Sequence, residues 1–179
     1  MPPVTVPALT QSAPTLDDTD RQIIGFLQAD ARVANAEIAR RLGMAPSAIF
    51  DRIRKLEERG IIAGYEARVN ARLLGLGLTA FIFVRGEDGV SDATTGRLLA
   101  QMPEVQEVHH VAGEDCYLVK VRVADTDALA VLLRERIGAI KSVRSTRTTI
   151  ALGTVKETHQ LPIPGMAGMR SNGGRDARR

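Results

Sequence analysis

Residues 35–60 read NAEIARRLGMAPSAIFDRIRKLEERG, and the spacing of their apolar side chains describes two short helices around a tight turn. Asn35 suits the N-cap of the first helix, because its side chain accepts from a backbone N–H that the helix leaves unpaired. Ile38, Ala39 and Leu42 then fall on one side. Gly43 suits the left-handed residue that ends a helix. Pro46 suits the first turn of the next, where the N–H it lacks has no partner anyway. At 100° per residue, Ile49, Ile53 and Leu56 lie within about 60° of one another, and Ser47, Asp51 and Arg54 lie opposite. Phe50 and Lys55 flank that polar side, and Gly60 closes the helix.

A short helix, a glycine turn and a longer amphipathic helix are the pattern of a helix-turn-helix. The outward side offers a mixed hydrogen-bonding set in place of a run of Glu and Lys. Arginine suits guanine edges, whereas serine and lysine suit phosphates. The candidate DNA-binding set is Asn35, Pro46, Ser47, Phe50, Asp51, Arg54 and Lys55. The plainer alternative is that Arg54 and Lys55 pair with Glu58 and Asp51, worth a few tenths of a kcal/mol per pair. Phe50, a large apolar group on the outward side, favours the interface.

Charge supports this reading by placement only. Residues 1–64 hold eight basic and eight acidic side chains, and residues 65–164 hold twelve of each. The net +3 therefore lies in residues 165–179, where Arg170, Arg175, Arg178 and Arg179 face only Asp176. Six aromatics and no Trp call for an aliphatic core. No apolar run approaches the ~20 residues of a transmembrane helix, and residues 1–15 lack the apolar segment of a signal peptide. The lone Cys116 fits a reducing cytoplasm.

Outward from the helix pair, residues 1–15 carry four prolines and are expected to be a disordered tail. A helix starts at Asp17 with an apolar stripe of Ile23, Ile24 and Leu27. Residues 16–64 then form a winged helix-turn-helix, with Ile61–Asn70 as the strand, glycine turn and strand of the wing. Residues 65–76 serve as a hinge strand or linker.

A second domain spans 77–156. Leu78–Arg85 is a strand apolar on both faces, with Leu78, Ala80, Ile82 and Val84 on one and Phe81 and Phe83 on the other. Helices cover one face of such a sheet, and the other needs a partner. A helix over Asp92–Met102 turns Leu98, Leu99 and Met102 inward. Strands follow at Val105–Val111 and Tyr117–Val123, then a helix over Thr126–Ile137 and a strand over Ser142–Leu152. The order β-α-β-β-α-β is the ferredoxin-like plan. Its halves echo one another: Leu98, Met102, Val105 and Val108 recur 35 residues later as Leu133, Ile137, Ile140 and Val143. His109 and His110, adjacent on a strand, point to opposite faces and cannot share a metal. Cys116 reads as a small buried residue. Thr146 and Thr148 share a strand face within reach of an effector. Residues 157–179 are expected to be a disordered basic tail that adds non-specific DNA affinity.

Three stretches carry a family resemblance: LDDTDRQIIGFLQADAR at 16–32, NAEIARRLGMAPSAIFDRIRKLEERGIIAGYEA at 35–67, and HHVAGEDCYLVKVRV at 109–123. Together they resemble the Lrp/AsnC, or feast/famine, transcription regulators over about residues 16–156. The resemblance implies an α+β chain whose winged helix-turn-helix binds double-stranded DNA. It also implies a ferredoxin-like domain that dimerises through Phe81 and Phe83, assembles further to a tetramer or octamer, and binds a small effector, usually an amino acid. The effector turn would be Gly113-Glu114-Asp115-Cys116-Tyr117, giving an effector set of Gly113, Glu114, Asp115, Tyr117, Thr146 and Thr148. Backbone amides freed by a glycine turn receive a carboxylate, and an acid receives an ammonium.

The chain departs from the family in two places. Where relatives often have an aromatic and then Asp before the Tyr, this chain has Asp115 and then Cys116, which on a strand turns the acid to the other face. Ala45 stands where relatives often have a Ser cap. No catalytic residue, metal or cofactor is expected beyond the effector. Two other readings remain at this point: an enzyme similar to the sirohaem decarboxylases, which share this layout, and an architectural protein that bends DNA without an effector.

Overall fold

Asp17 caps the first helix of the protein, its Oδ1 accepting from the Asp20 N–H at 2.7 Å. In the computed structural model, residues 15–87 and 93–164 are described, and they form two compact units. Residues 15–67 together with 158–164 make one, and 68–157 the other.

The first unit is built from α1 (Asp18–Ala29), α2 (Asn35–Leu42) and α3 (Pro46–Glu58). Ile23, Ile38, Ala39, Ile49, Ile53 and Leu56 make its buried core, so the apolar spacing seen in the sequence becomes the contact face. Both helix ends in this pair are closed by left-handed glycines. Gly43 (φ 64°) lets Met44 N–H donate to Ala39 O at 2.9 Å, and Gly60 (φ 68°) lets Ile61 N–H donate to Leu56 O at 2.9 Å.

One expectation fails at the start of α2. Ala34 occupies the extended cap position without a side-chain hydrogen bond, and Asn35 is the first helical residue. The first-turn electrostatics come instead from Glu37, which accepts from Arg40 and Arg41. Residues 61–70 also lack the paired strands expected there. Ile61 and Ile62 both pack on the helical core, which fixes the chain against alternation between two faces. Gly64 is not among the positive-φ glycines that a tight hairpin turn demands.

The second unit opens with a 3-10 turn at Ala71–Leu74, capped by the Asn70 side chain, which the sequence reading missed. Four strands follow, β1 (Leu78–Gly86), β2 (Val105–His110), β3 (Tyr117–Val123) and β4 (Val143–Ile150), in the antiparallel order β2-β3-β1-β4. Between them lie α4 (Thr94–Ala100) and α5 (Thr126–Val131), the latter continuing as a π-type turn through Leu132–Ile137. Ala80, Ile82, Val84, Tyr117, Val119 and Val121 face the helix layer and are buried against Leu99, Met102, Leu129, Leu132 and Ile137. Leu98 does not join them and stays 40% exposed. Leu99, 100° further round this short helix, takes the inward position. Residue 92, where that helix was expected to begin, lies outside the described residues.

Phe81 and Phe83 are half-buried on the opposite sheet face. Residues 158–164, expected in the basic tail, instead meet α1 through Gln28. Residues 1–14 and 165–179 lie outside the described set. Among the described residues, no helix is long and apolar enough to cross a membrane.

Candidate nucleic-acid interface and effector turn

Pro46 starts α3, and the turn behind it aims the helix's first residues away from the core. Pro46, Ser47, Phe50, Asp51, Arg54 and Lys55 are all exposed, Phe50 at 57%. Arg54 lies 3.8 Å from both Asp51 and Glu58 and donates a hydrogen bond to neither. Exposed pairs of that length contribute little, so the guanidinium is available to a stronger acceptor. Asn35 is half-buried at the start of α2, on the rim of an open depression of about 290 Å³ shared with Leu27, Val33, Phe50, Ile53, Arg54, Glu57 and Tyr65. Partial burial pushes the Tyr65 hydroxyl up to about 12, and its hydrogen bond to Glu57 (2.9 Å) acts in the same direction.

Not every arginine here is free to leave its place. Arg52 Nη1 donates to both Asp17 and Asp20 at 2.7 Å and ties α3 to the first turn of α1. Asp17 is held below its ordinary value, first by the Asp20 N–H and then by Arg52. Arg41 stands 5.3 Å over the Phe26 ring and also bonds Glu37. In the sequence alone these arginines look alike. Only pairing distances separate the structural ones from Arg54.

The β2–β3 turn places Gly113, Glu114 and Asp115 together. Gly113 has φ 144°, where a side chain is strained, although no atom lies within 4 Å of an added Cβ. Asp115 Oδ2 accepts from Arg147 at 2.9 Å, and the Arg147 guanidinium lies 4.0 Å from the Phe83 ring centroid. Arg147 was not singled out from the sequence, because its partner is 32 residues away in the chain.

Tyr117 stands apart from the turn. It is 2% exposed, stacks on His110 at 5.2 Å, and its ring would be 2.8 Å from a Cβ on Gly96. Thr146 and Thr148 lie opposite Val84 and Ile82, so they sit on the helix-covered face of the edge strand. Arg147, opposite Phe83, is on the other face. Tyr117, opposite Val84, shares the face of the two threonines, whereas Asp115 meets Arg147 on the other.

His109 and His110 pair with Leu118 and Tyr117, which places them on opposite faces as the strand period requires. Among the described residues, no three His, Cys, Asp or Glu side chains are arranged to hold a metal ion. Cys116 is half-buried beside the core, its thiol 3.5 Å from the Gly86 carbonyl oxygen.

Residues 16–63 match the family model described as winged helix-turn-helix DNA-binding, and residues 79–161 match the Lrp/AsnC ligand binding domain. The leucine-responsive regulatory protein of Escherichia coli K12 is 35% identical over 150 residues, covering 83% of this chain and 92% of that protein. The structure of E. coli AsnC superposes with a TM-score of 0.77 at 30% identity, over 83% of this chain and 100% of that one. A feast or famine regulatory protein from M. tuberculosis complexed with L-methionine gives 0.77 at 40% identity, over 84% and 100%. A transcriptional regulator from Neisseria meningitidis, also in complex with L-Met, gives 0.78 at 28% identity, over 84% and 98%.

Proposed function

Because the chain belongs to the Lrp/AsnC family of DNA-binding regulators, we propose that α3 is its recognition helix and that Arg54 reads a base edge. The exposed Ser47, Phe50, Asp51, Arg54 and Lys55 side of α3 carries this reading. Pro46 and Asn35 bound the same surface, and Ser47 and Lys55 suit phosphate oxygens. The test is duplex binding by Arg54→Ala on an operator selected from random sequence. The expected loss is about 1–3 kcal/mol, with relaxed preference at one position. Unchanged affinity and preference would remove Arg54 from the interface.

The second unit serves as the sensor and assembly domain of a homodimer that builds to a tetramer or octamer. The effector is an amino acid, as in the two L-methionine complexes among the relatives. It meets Gly113, Glu114 and Asp115 on the turn, while Thr146 and Thr148 complete the site from elsewhere in the oligomer. That last assignment rests on the two threonines lying on the sheet face opposite Arg147, the partner of Asp115. Tyr117 supports the turn from beneath. The protein acts in the cytoplasm, where Cys116 stays reduced, and it performs no catalysis: the relatives above are regulators.

A thermal-shift screen of the amino acids tests the sensor, since a ligand of the folded state raises apparent stability by RT ln(1 + [L]/Kd). The stabilising amino acid should lose its effect in Gly113→Val, while DNA binding persists. A screen in which no amino acid shifts the parent would refute the amino-acid reading.

A further inference from the structure

Arg54 shares its side of α3 with Asp51, Glu57 and Glu58, because residues three and four positions apart on a helix are neighbours. Asp51 and Glu58 stand at 3.8 Å, beyond hydrogen-bond range. Glu57 is engaged differently: its Oε1 accepts from the Tyr65 hydroxyl at 2.9 Å. The chain beyond α3 makes this bond possible. Ile61 and Ile62 pack on the helical core, and Tyr65 then meets α3 eight positions behind itself. Tyr65, Glu57 and Arg54 line one open depression together with Phe50 and Asn35. The hydroxyl, pushed up to about 12, keeps the proton that it donates.

The second helix shows the alternative. There Glu37 accepts from Arg40 at 2.8 Å and from Arg41 at 2.6 Å, so both guanidiniums are engaged by one acid on their own helix. A Glu57 carboxylate released from Tyr65 has Arg54 three positions away. A bond formed there must be broken before the guanidinium turns to a base edge. We propose that Tyr65 is a positioning residue of the recognition helix: by holding Glu57 it keeps Arg54 open to the duplex. Tyr65 acts through Glu57 and not on the bases. The inference rests on the assignment of base reading to Arg54.

The experiment titrates full-length protein with the selected operator and with the same duplex substituted at the position that Arg54→Ala relaxes. Tyr65→Phe removes the hydroxyl and keeps the ring. It should weaken operator binding by about two- to fivefold, the range of an exposed ion pair that must first be broken. The substituted duplex should be bound as by the parent, so the loss is read as reduced preference. A smaller folded fraction weakens both duplexes alike and does not imitate this. Glu57→Gln, added to Tyr65→Phe, removes the competing charge and should restore the parent's preference. In an Arg54→Ala background, Tyr65→Phe should change nothing further.

Unchanged preference in Tyr65→Phe would overturn the inference. So would a loss that survives Glu57→Gln, or one that persists in the absence of the Arg54 side chain. Arg54→Ala run in parallel separates the two readings. If it binds the operator weakly while any of those results is obtained, the positioning role of Tyr65 falls alone. If it binds like the parent, base reading by Arg54 falls and the positioning role falls with it.

Discussion

Arg52 and Arg54 stand two positions apart on α3 and differ in everything but type. Arg52 bonds two carboxylates at 2.7 Å and joins α1 to α3, whereas Arg54 keeps its acids at 3.8 Å. Hydrogen-bond geometry therefore assigns the first to the fold and leaves the second without a hydrogen bond. Glu37 shows the same logic for an acid. The Arg40 guanidinium, and after it Arg41, holds its carboxyl down at about 2. A carboxyl whose folded value lies below its unfolded 4.5 contributes stability above that unfolded value. The contribution is lost as pH falls from about 4.5 to about 2. Parent protein should thus lose stability across this window, and Glu37→Gln should show a flatter acid limb there. Circular dichroism of the two through the acid range checks this; superimposable limbs would mean the pairing carries no stability. Because Glu37 is surface-lying and solvent-screened, the effect is expected in the shape of the curve.

At the scale of elements, α3 is a helix with an unfilled cap. Ala45 adopts φ −71° and ψ 141°, the extended cap conformation, but has no side-chain oxygen to give. Ala45→Ser supplies an acceptor for the N–H groups of the first turn without disturbing Pro46. It should stabilise the first unit by about 0.5–2 kcal/mol, read as a higher denaturant midpoint at unchanged slope. A midpoint that stays put would show that solvent or another group already satisfies that turn. The helix was legible in sequence because its period of 3.6, its proline and its glycine stop all agree. By contrast, the strand pair expected at 61–70 does not form, since Ile61 and Ile62 are both claimed by the helical core. Period alone does not reveal which neighbouring element claims an apolar pair. Leu98 and Leu99 pose the same difficulty in α4: two adjacent leucines fit either phase of a short helix, and packing against the sheet chose Leu99.

At the scale of the molecule, the sheet of the second unit has one helix-covered face and one that bears Phe81 and Phe83. Lys120 and Arg122, on the same face as these rings, are engaged by Glu157, and Lys120 also by Glu107. This leaves the phenylalanine end of the face as its apolar part. We expect Phe81→Glu/Phe83→Glu to lower the mass seen by light scattering at micromolar concentration, because two buried charges facing their copies repel. The secondary structure should be retained. A parent that is itself monomeric would contradict the pairing.

The sequence by itself determined the helix-turn-helix, the β-α-β-β-α-β order and the burial of alternate residues on Leu78–Gly86 and Tyr117–Val123. Each of these follows from local periodicity and from glycine and proline chemistry within a few residues. Tertiary structure alone decided which arginines are structural, that Tyr117 is sealed beneath Gly96, that Asp115 meets Arg147, and that Gln28 captures Leu161. Those outcomes depend on distances between residues far apart in the chain, and no local pattern encodes them. The stretch 35–60 therefore announced a helix-turn-helix early, while the arginine that makes only loose ion pairs was identified by the fold.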